Sequence, residues 1–127
     1  MLHDTALLLS RLLFGGTMLL AHGLPKLIGF SQRMGSFPDP LGVGNSLSLG
    51  LTIFAEVLCA GLLALGLFSR WVSAPLAITM AVAAFIVHAG DPWQKKEMAV
   101  IYMVGYIICG LLGSGRFSLD YLIRKKI

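Results

Sequence analysis

Charge is what this 127-residue chain has least of: Asp, Glu, Lys and Arg make up only 13% of it, where a soluble domain is usually about a quarter charged. So little charge excludes an ordinary water-soluble domain, and the 57% of hydrophobic residues points to a bilayer protein. Cysteine is scarce too, with two residues, Cys59 and Cys109. Both fall inside apolar segments, which argues for buried thiols and against an exposed structural disulfide. No CxxC or HxxxH spacing occurs, so the sequence signals no metal site. It also holds no haem ligand pair, iron–sulfur spacing or dinucleotide fingerprint. Electrons passing through this protein would therefore need a diffusible quinone or a partner subunit. No internal repeat is evident, and no basic residue precedes the first apolar segment. With Arg11 interrupting that segment as well, the faint small-x-small pattern Ala21-His22-Gly23 reads as membrane helix and not as a cleaved leader.

Long apolar runs are what the sequence does have. Crossing a bilayer takes roughly 20 apolar residues, and four segments approach that length, approximately at residues 5–23, 47–68, 71–89 and 98–113. They consume most of the chain, so residues 1–127 read as a single membrane domain. The fold expected is an all-α, antiparallel four-transmembrane-helix bundle. A long loop joins helices 1 and 2, rich in Pro25, Pro38, Pro40 and glycine and holding a short interfacial helix around residues 27–34. The tight join at Ser69-Arg70 makes the second and third segments adjacent and antiparallel. Trp71 and Trp93 fall at opposite interfaces.

The net charge of +4 reflects helix ends and the basic tail Arg124-Lys125-Lys126, and implies membrane headgroups as partners, not nucleic acid. Arg70, Arg116, Arg124, Lys125 and Lys126 would flank one membrane face, against Lys26, Arg33, Lys95 and Lys96 on the other. That slight excess favours a cytoplasmic N-terminus and C-terminus.

Three apolar segments carry a lone ionisable side chain: Arg11, Glu56 and His88. Such groups are costly in hydrocarbon and mark an interior shared between helices. Helical spacing puts Arg11, Gly15, Met18 and His22 on one stripe, and Asn45, Ser48, Thr52, Glu56 and Cys59 on another. Ala77, Ala81, Ala84 and His88 form a third stripe, and Tyr102, Gly105, Cys109 and Leu112 a fourth. At 1.5 Å per residue, Arg11 lies roughly 6–8 Å from the depth of Glu56, which predicts an Arg11–Glu56 ion pair or network. His22 and His88 fall near the outer end, with Lys26, Asp39, Asp91 and Glu97 at the same surface. The candidates for a ligand or proton network are thus Arg11, His22, Lys26, Glu56, His88 and Tyr102. Tyr106 reads either as an inward hydrogen-bond donor or as a lipid-facing anchor. At the C-terminus, Ser118 is expected to cap a short helix with Asp120 in its first turn.

Several phrases resemble the DoxX family of small four-helix membrane proteins. They are Arg11-Leu12-Leu13-Phe14-Gly15-Gly16 running to His22-Gly23-Leu24-Pro25-Lys26-Leu27, Ala55-Glu56-Val57, Lys96-Glu97-Met98-Ala99-Val100-Ile101-Tyr102 and the closing Gly113-Ser114-Gly115-Arg116-Phe117-Ser118-Leu119-Asp120. The resemblance implies a multi-pass bacterial inner-membrane protein associated with redox work, and it carries Arg11, Lys26, Glu56, His88 and Arg116 over from the family pattern. It leaves open whether the chain catalyses anything.

The leading expectation is an accessory component of a quinone-linked or thiol/sulfur redox system, binding a small ligand between its helices beside a redox partner protein. Quinone reduction consumes protons that a buried carboxylate and an imidazole can supply, and an apolar seam accepts a lipidic tail. The alternatives are a non-enzymatic binder or transporter of a small molecule or lipid, which would work as a homo-oligomer, and a membrane anchor for a partner complex.

Overall fold

The computed structural model describes residues 2–126; the basic-tail expectation for Lys125 and Lys126 concerns side chains outside those described. The regular structure of the described residues is all helical, without strands. Helix α1 runs Leu2–Ile28 and the one-turn α2 spans Phe30–Arg33. Helices α3 (Asn45–Leu65) and α4 (Ser69–Val87) follow, then α5 (Trp93–Leu112) and the short α6 (Leu119–Lys126). By length and composition, α1, α3 and α4 can cross a membrane. Large parts of their surfaces remain apolar and uncovered, as at Leu20, Leu58, Ile78 and Phe85. A surface of this kind suits lipid, which is as apolar as leucine, and not water.

Helix limits differ from the apolar windows for local reasons. α1 continues through Pro25 where a loop was expected. The widened, π-type turn at Met18–Gly23 lies just before the proline, and such a turn accommodates a ring that has no N–H to donate. The break comes instead at Gly29, and the interfacial helix shrinks to Phe30–Arg33. α3 ends at Leu65 because Gly66 takes a left-handed conformation (φ 77°). Phe68 is left-handed as well (φ 54°), unusual for a bulky residue. Asp120 supports it by accepting the Phe68 N–H at 2.9 Å. The turn therefore occupies 66–68, and Ser69-Arg70 already belongs to α4. α5 starts five residues before its apolar stretch, directly after Pro92. Polar residues such as Lys95 and Lys96 are good helix formers, and hydropathy alone could not reveal them as helical.

α1 and α3 pack antiparallel: Leu12–Gly16 meets Ala60–Leu65, Met18–Gly23 meets Phe54–Cys59, and Leu24–Ile28 meets Asn45–Ile53. Gly15 and Gly23 make this approach possible. A Cβ on Gly15 would lie 2.8 Å from the Ala60 carbonyl oxygen, and one on Gly23 would collide with the Glu56 backbone. On the other side, α4 packs along α5, and Leu76, Met80 and Ala84 of α4 are buried in one core with Leu63 of α3. The inward face of α5 is Ala99, Gly105, Tyr106 and Cys109, while the expected Leu112 is exposed. Tyr106 resolves to the inward reading: it is fully buried and its hydroxyl donates to the Phe14 carbonyl at 3.0 Å. Cys59 and Cys109 are buried free thiols. Ser118 caps α6 through the Tyr121 N–H (3.2 Å), as its position in the sequence suggested.

This packing predicts that Gly15→Ala destabilises the protein by about 1–3 kcal/mol, the usual cost of overpacking a tight seam. Gly16→Ala, which would meet nothing within 4 Å, serves as the neutral control. Thermal unfolding in detergent should show a lowered midpoint for the first variant only.

Candidate functional site

The α1–α3 seam delivers a lysine to a buried glutamate. Gly23 brings the two backbones together at Glu56, and Lys26, one helical turn further along the same face of α1, points back toward it, as side chains in a helix do. Its Nζ donates to Glu56 Oε1 at 2.6 Å. Glu56 is only 3% exposed, and Lys26 satisfies a carboxyl oxygen that burial would otherwise leave unpaired. Glu56 also sits in a widened turn, Phe54–Cys59, a distortion often found at functional positions in helices.

Lys26 and Glu56 open onto a cleft of about 620 Å³ between α3 and α4, within the range typical of small-molecule sites. Ile78, Met80, Val82 and Ala83 supply apolar wall; Ser48, Thr52, Thr79 and His88 add polar points. Thr52 and Thr79 spend their hydroxyl protons on Ser48 and Pro75 carbonyls within their own helices (2.9 and 2.8 Å). The donors left for a ligand are therefore chiefly Lys26 and His88. His88 terminates α4, and its Nδ1 lies 2.8 Å from Asp91 Oδ2. That hydrogen bond holds the Asp91 carboxyl below its ordinary range and orients the ring so that Nε2 is the remaining polar atom.

The cleft has a roof, formed by Phe37, Pro38, Pro40 and Leu41. Asp39 anchors it, accepting from Ser48 Oγ (2.8 Å) and from the backbone N–H groups of Gly44 (2.8 Å) and Val43 (3.0 Å). Asn45 adds a bond to the Gly35 carbonyl at 3.1 Å. The Ser48 hydrogen bond, followed by that of Gly44, lowers the Asp39 pKa.

Of the six expected site residues, Lys26, Glu56 and His88 line this cleft and the other three do not. Arg11 corrects the expectation most sharply. With Gly15 seated against Ala60 and Ala64, Arg11 reaches Gly66, ten residues from Glu56 along α3, or about 15 Å. There it is 1% exposed and donates to the Phe117 carbonyl, with Nε and Nη1 lacking partners among the described residues. No Arg11–Glu56 pair forms. His22 packs edge-on against Tyr102, centroids 5.9 Å apart, in an aromatic group with Phe14 and Tyr106. Among the described residues no three His, Cys, Asp or Glu side chains gather as a metal site would need. Reading residues one at a time missed Thr79 and the anchoring role of Asp39. The Asp39/Ser48 spacing beside a helix start was the available signal for the latter.

Two outcomes follow. Lys26→Met strands a buried carboxylate and should cost about 3–5 kcal/mol, whereas Lys26→Met combined with Glu56→Gln should recover much of the loss; unfolding midpoints of the wild type and the two variants check this. The Asp39 latch strengthens with ionisation, because its folded pKa lies below the ordinary 3.8. It is intact above that value and lost as pH falls through the depressed one. Proteolysis within residues 34–44 should accelerate only in that acid range, and Asp39→Asn should accelerate it already at neutral pH.

A sequence model of the DoxX family matches residues 6–89, which contain Lys26, Glu56, His88 and the roof. A protein of Haemophilus influenzae described only as uncharacterized is 28% identical over 111 residues, covering 81% of this chain and 74% of its own. No solved structure matches.

Proposed function

This chain belongs to the DoxX family of membrane proteins, and from that premise we propose that it binds a small amphipathic ligand, a quinone headgroup foremost, in the cleft between α3 and α4. One observation carries the proposal: a buried Glu56, paired with the half-buried Lys26, opens onto a mostly apolar cleft of about 620 Å³ flanked by membrane-length helices. The apolar walls suit a ring and lipidic tail. Lys26 Nζ, with protons to spare beyond the Glu56 bond, and His88 Nε2 are the groups that would donate to carbonyl oxygens. Glu56 would exchange protons with a ligand whose reduction consumes them. Electrons would come from a redox partner, making the protein an accessory component of a quinone-linked or thiol/sulfur redox system. It would lie in the bacterial inner membrane as one domain, with both termini cytoplasmic and with α5 as a fourth crossing whose charged first turn rests at the interface.

The test is binding of a short-chain quinone to the purified protein in lipid nanodiscs, followed by tryptophan quenching or calorimetry. Lys26→Met/Glu56→Gln and His88→Ala should each weaken it about tenfold or more, the equivalent of losing one strong hydrogen bond to the ligand. Arg11→Lys, away from the cleft, should leave it unchanged. Equal affinity in all forms would overturn the assignment.

A further inference from the structure

At the opposite end of the bundle lies a second cleft, of about 600 Å³, between the start of α4, the turn after α5, and α6. Two arginines from separate elements line it, Arg70 of α4 and Arg124 of α6. Arg70 extends over Gly113, where an added Cβ would lie 3.2 Å from its Nε; φ there is 80°, so glycine keeps the floor open. Among the described residues Arg70 has no ion pair or hydrogen bond, and Arg124 makes one long bond, 3.4 Å, to the Asp120 carbonyl. The cleft's acid, Asp120, is already engaged. One carboxylate oxygen accepts the Phe68 N–H and the other accepts Ser114 Oγ at 2.8 Å. Two guanidinium groups thus face a pocket whose carboxylate is spent on the protein itself.

The rim is apolar. Phe68, Leu112 and Ile123 are exposed, and Trp71 is 80% exposed, an amphipathic ring of the kind that settles at headgroup depth. A free polar solute would gain nothing from this fringe, whereas an acyl-bearing molecule would lie along it. Arginine suits the head of such a molecule, because its planar fork matches phosphate oxygens. We propose that this cleft binds the phosphate of an anionic phospholipid, held between Arg70 and Arg124 with its chains against the exposed faces of α4 and α5. The site is independent of the Lys26–Glu56 cleft, at the other end of α3.

Native mass spectrometry of the full chain released from nanodiscs of equal phosphatidylglycerol and phosphatidylcholine tests it. Wild type should retain phosphatidylglycerol at least tenfold over phosphatidylcholine, and Arg70→Gln/Arg124→Gln should lose that preference while keeping its helical circular dichroism. Arg116→Gln removes a cation outside the cleft and should change nothing. Equal retention of both lipids by wild type would overturn the proposal. So would an unaltered preference in the double variant, or a loss in Arg116→Gln as large as in the double variant, the mark of diffuse surface charge. Displacement of the lipid by millimolar inorganic phosphate would overturn the lipid assignment in favour of a free anion.

Discussion

A carboxylate at the heart of a membrane-length helix is costly unless a partner sits against it, and the Lys26–Glu56 bond at 2.6 Å supplies one. Much of the structure is arranged so that the two can meet. Gly15 and Gly23 remove the side chains that would hold α1 away from α3. The widened turns at Met18–Gly23 and Phe54–Cys59 face each other at the level of the pair. The passage of α1 through Pro25 keeps Lys26 on a helix, so that its position is fixed by backbone geometry and not by a loop.

The same seam explains why Arg11 and Glu56 work at different levels of the bundle instead of sharing one polar centre. Antiparallel packing slides Arg11 away from Glu56 and toward the Gly66 turn, where it meets the C-terminal segment at Phe117 and Ser118. Asp120 braces that turn by accepting the N–H of left-handed Phe68 and the hydroxyl of Ser114, which in turn bonds Ser69 at 2.6 Å. The two ends do different physical work. One joins a charge pair to an apolar cleft beneath a proline-rich roof. The other staples the α3–α4 turn to the terminal helix and leaves two arginines facing outward.

Much of this was legible in the residue order. Low charge and long apolar runs announced a membrane protein, and of the three lone ionisable residues Glu56 and His88 line a common cavity whereas Arg11 does not. The Ser118 cap was visible from residue type alone. Helix ends were less legible, because hydropathy measures what suits lipid while backbone geometry decides where a helix stops. Lys95 and Lys96 are helical without being apolar, and Gly66 stops a helix within an apolar stretch. The face of α5 was misjudged at Leu112 for a related reason: small and aromatic residues recur at several angles around that helix, and only the Phe14 ring lying against Gly105 selects Tyr106 as the inward one.

The sequence by itself determined that this chain belongs in a membrane and that it is helical, since composition and periodicity are properties of the chain alone, and it put Lys26, Glu56 and His88 among six candidates for a site. The tertiary structure decided which charges meet. Partner choice depends on the register between helices, and register is set by where backbones come closest, at Gly15 on Ala60 and at Gly23 on Glu56. A shift of one turn, about 5.4 Å, would bring a different set of side chains level, and that choice rests on packing between segments far apart in the sequence.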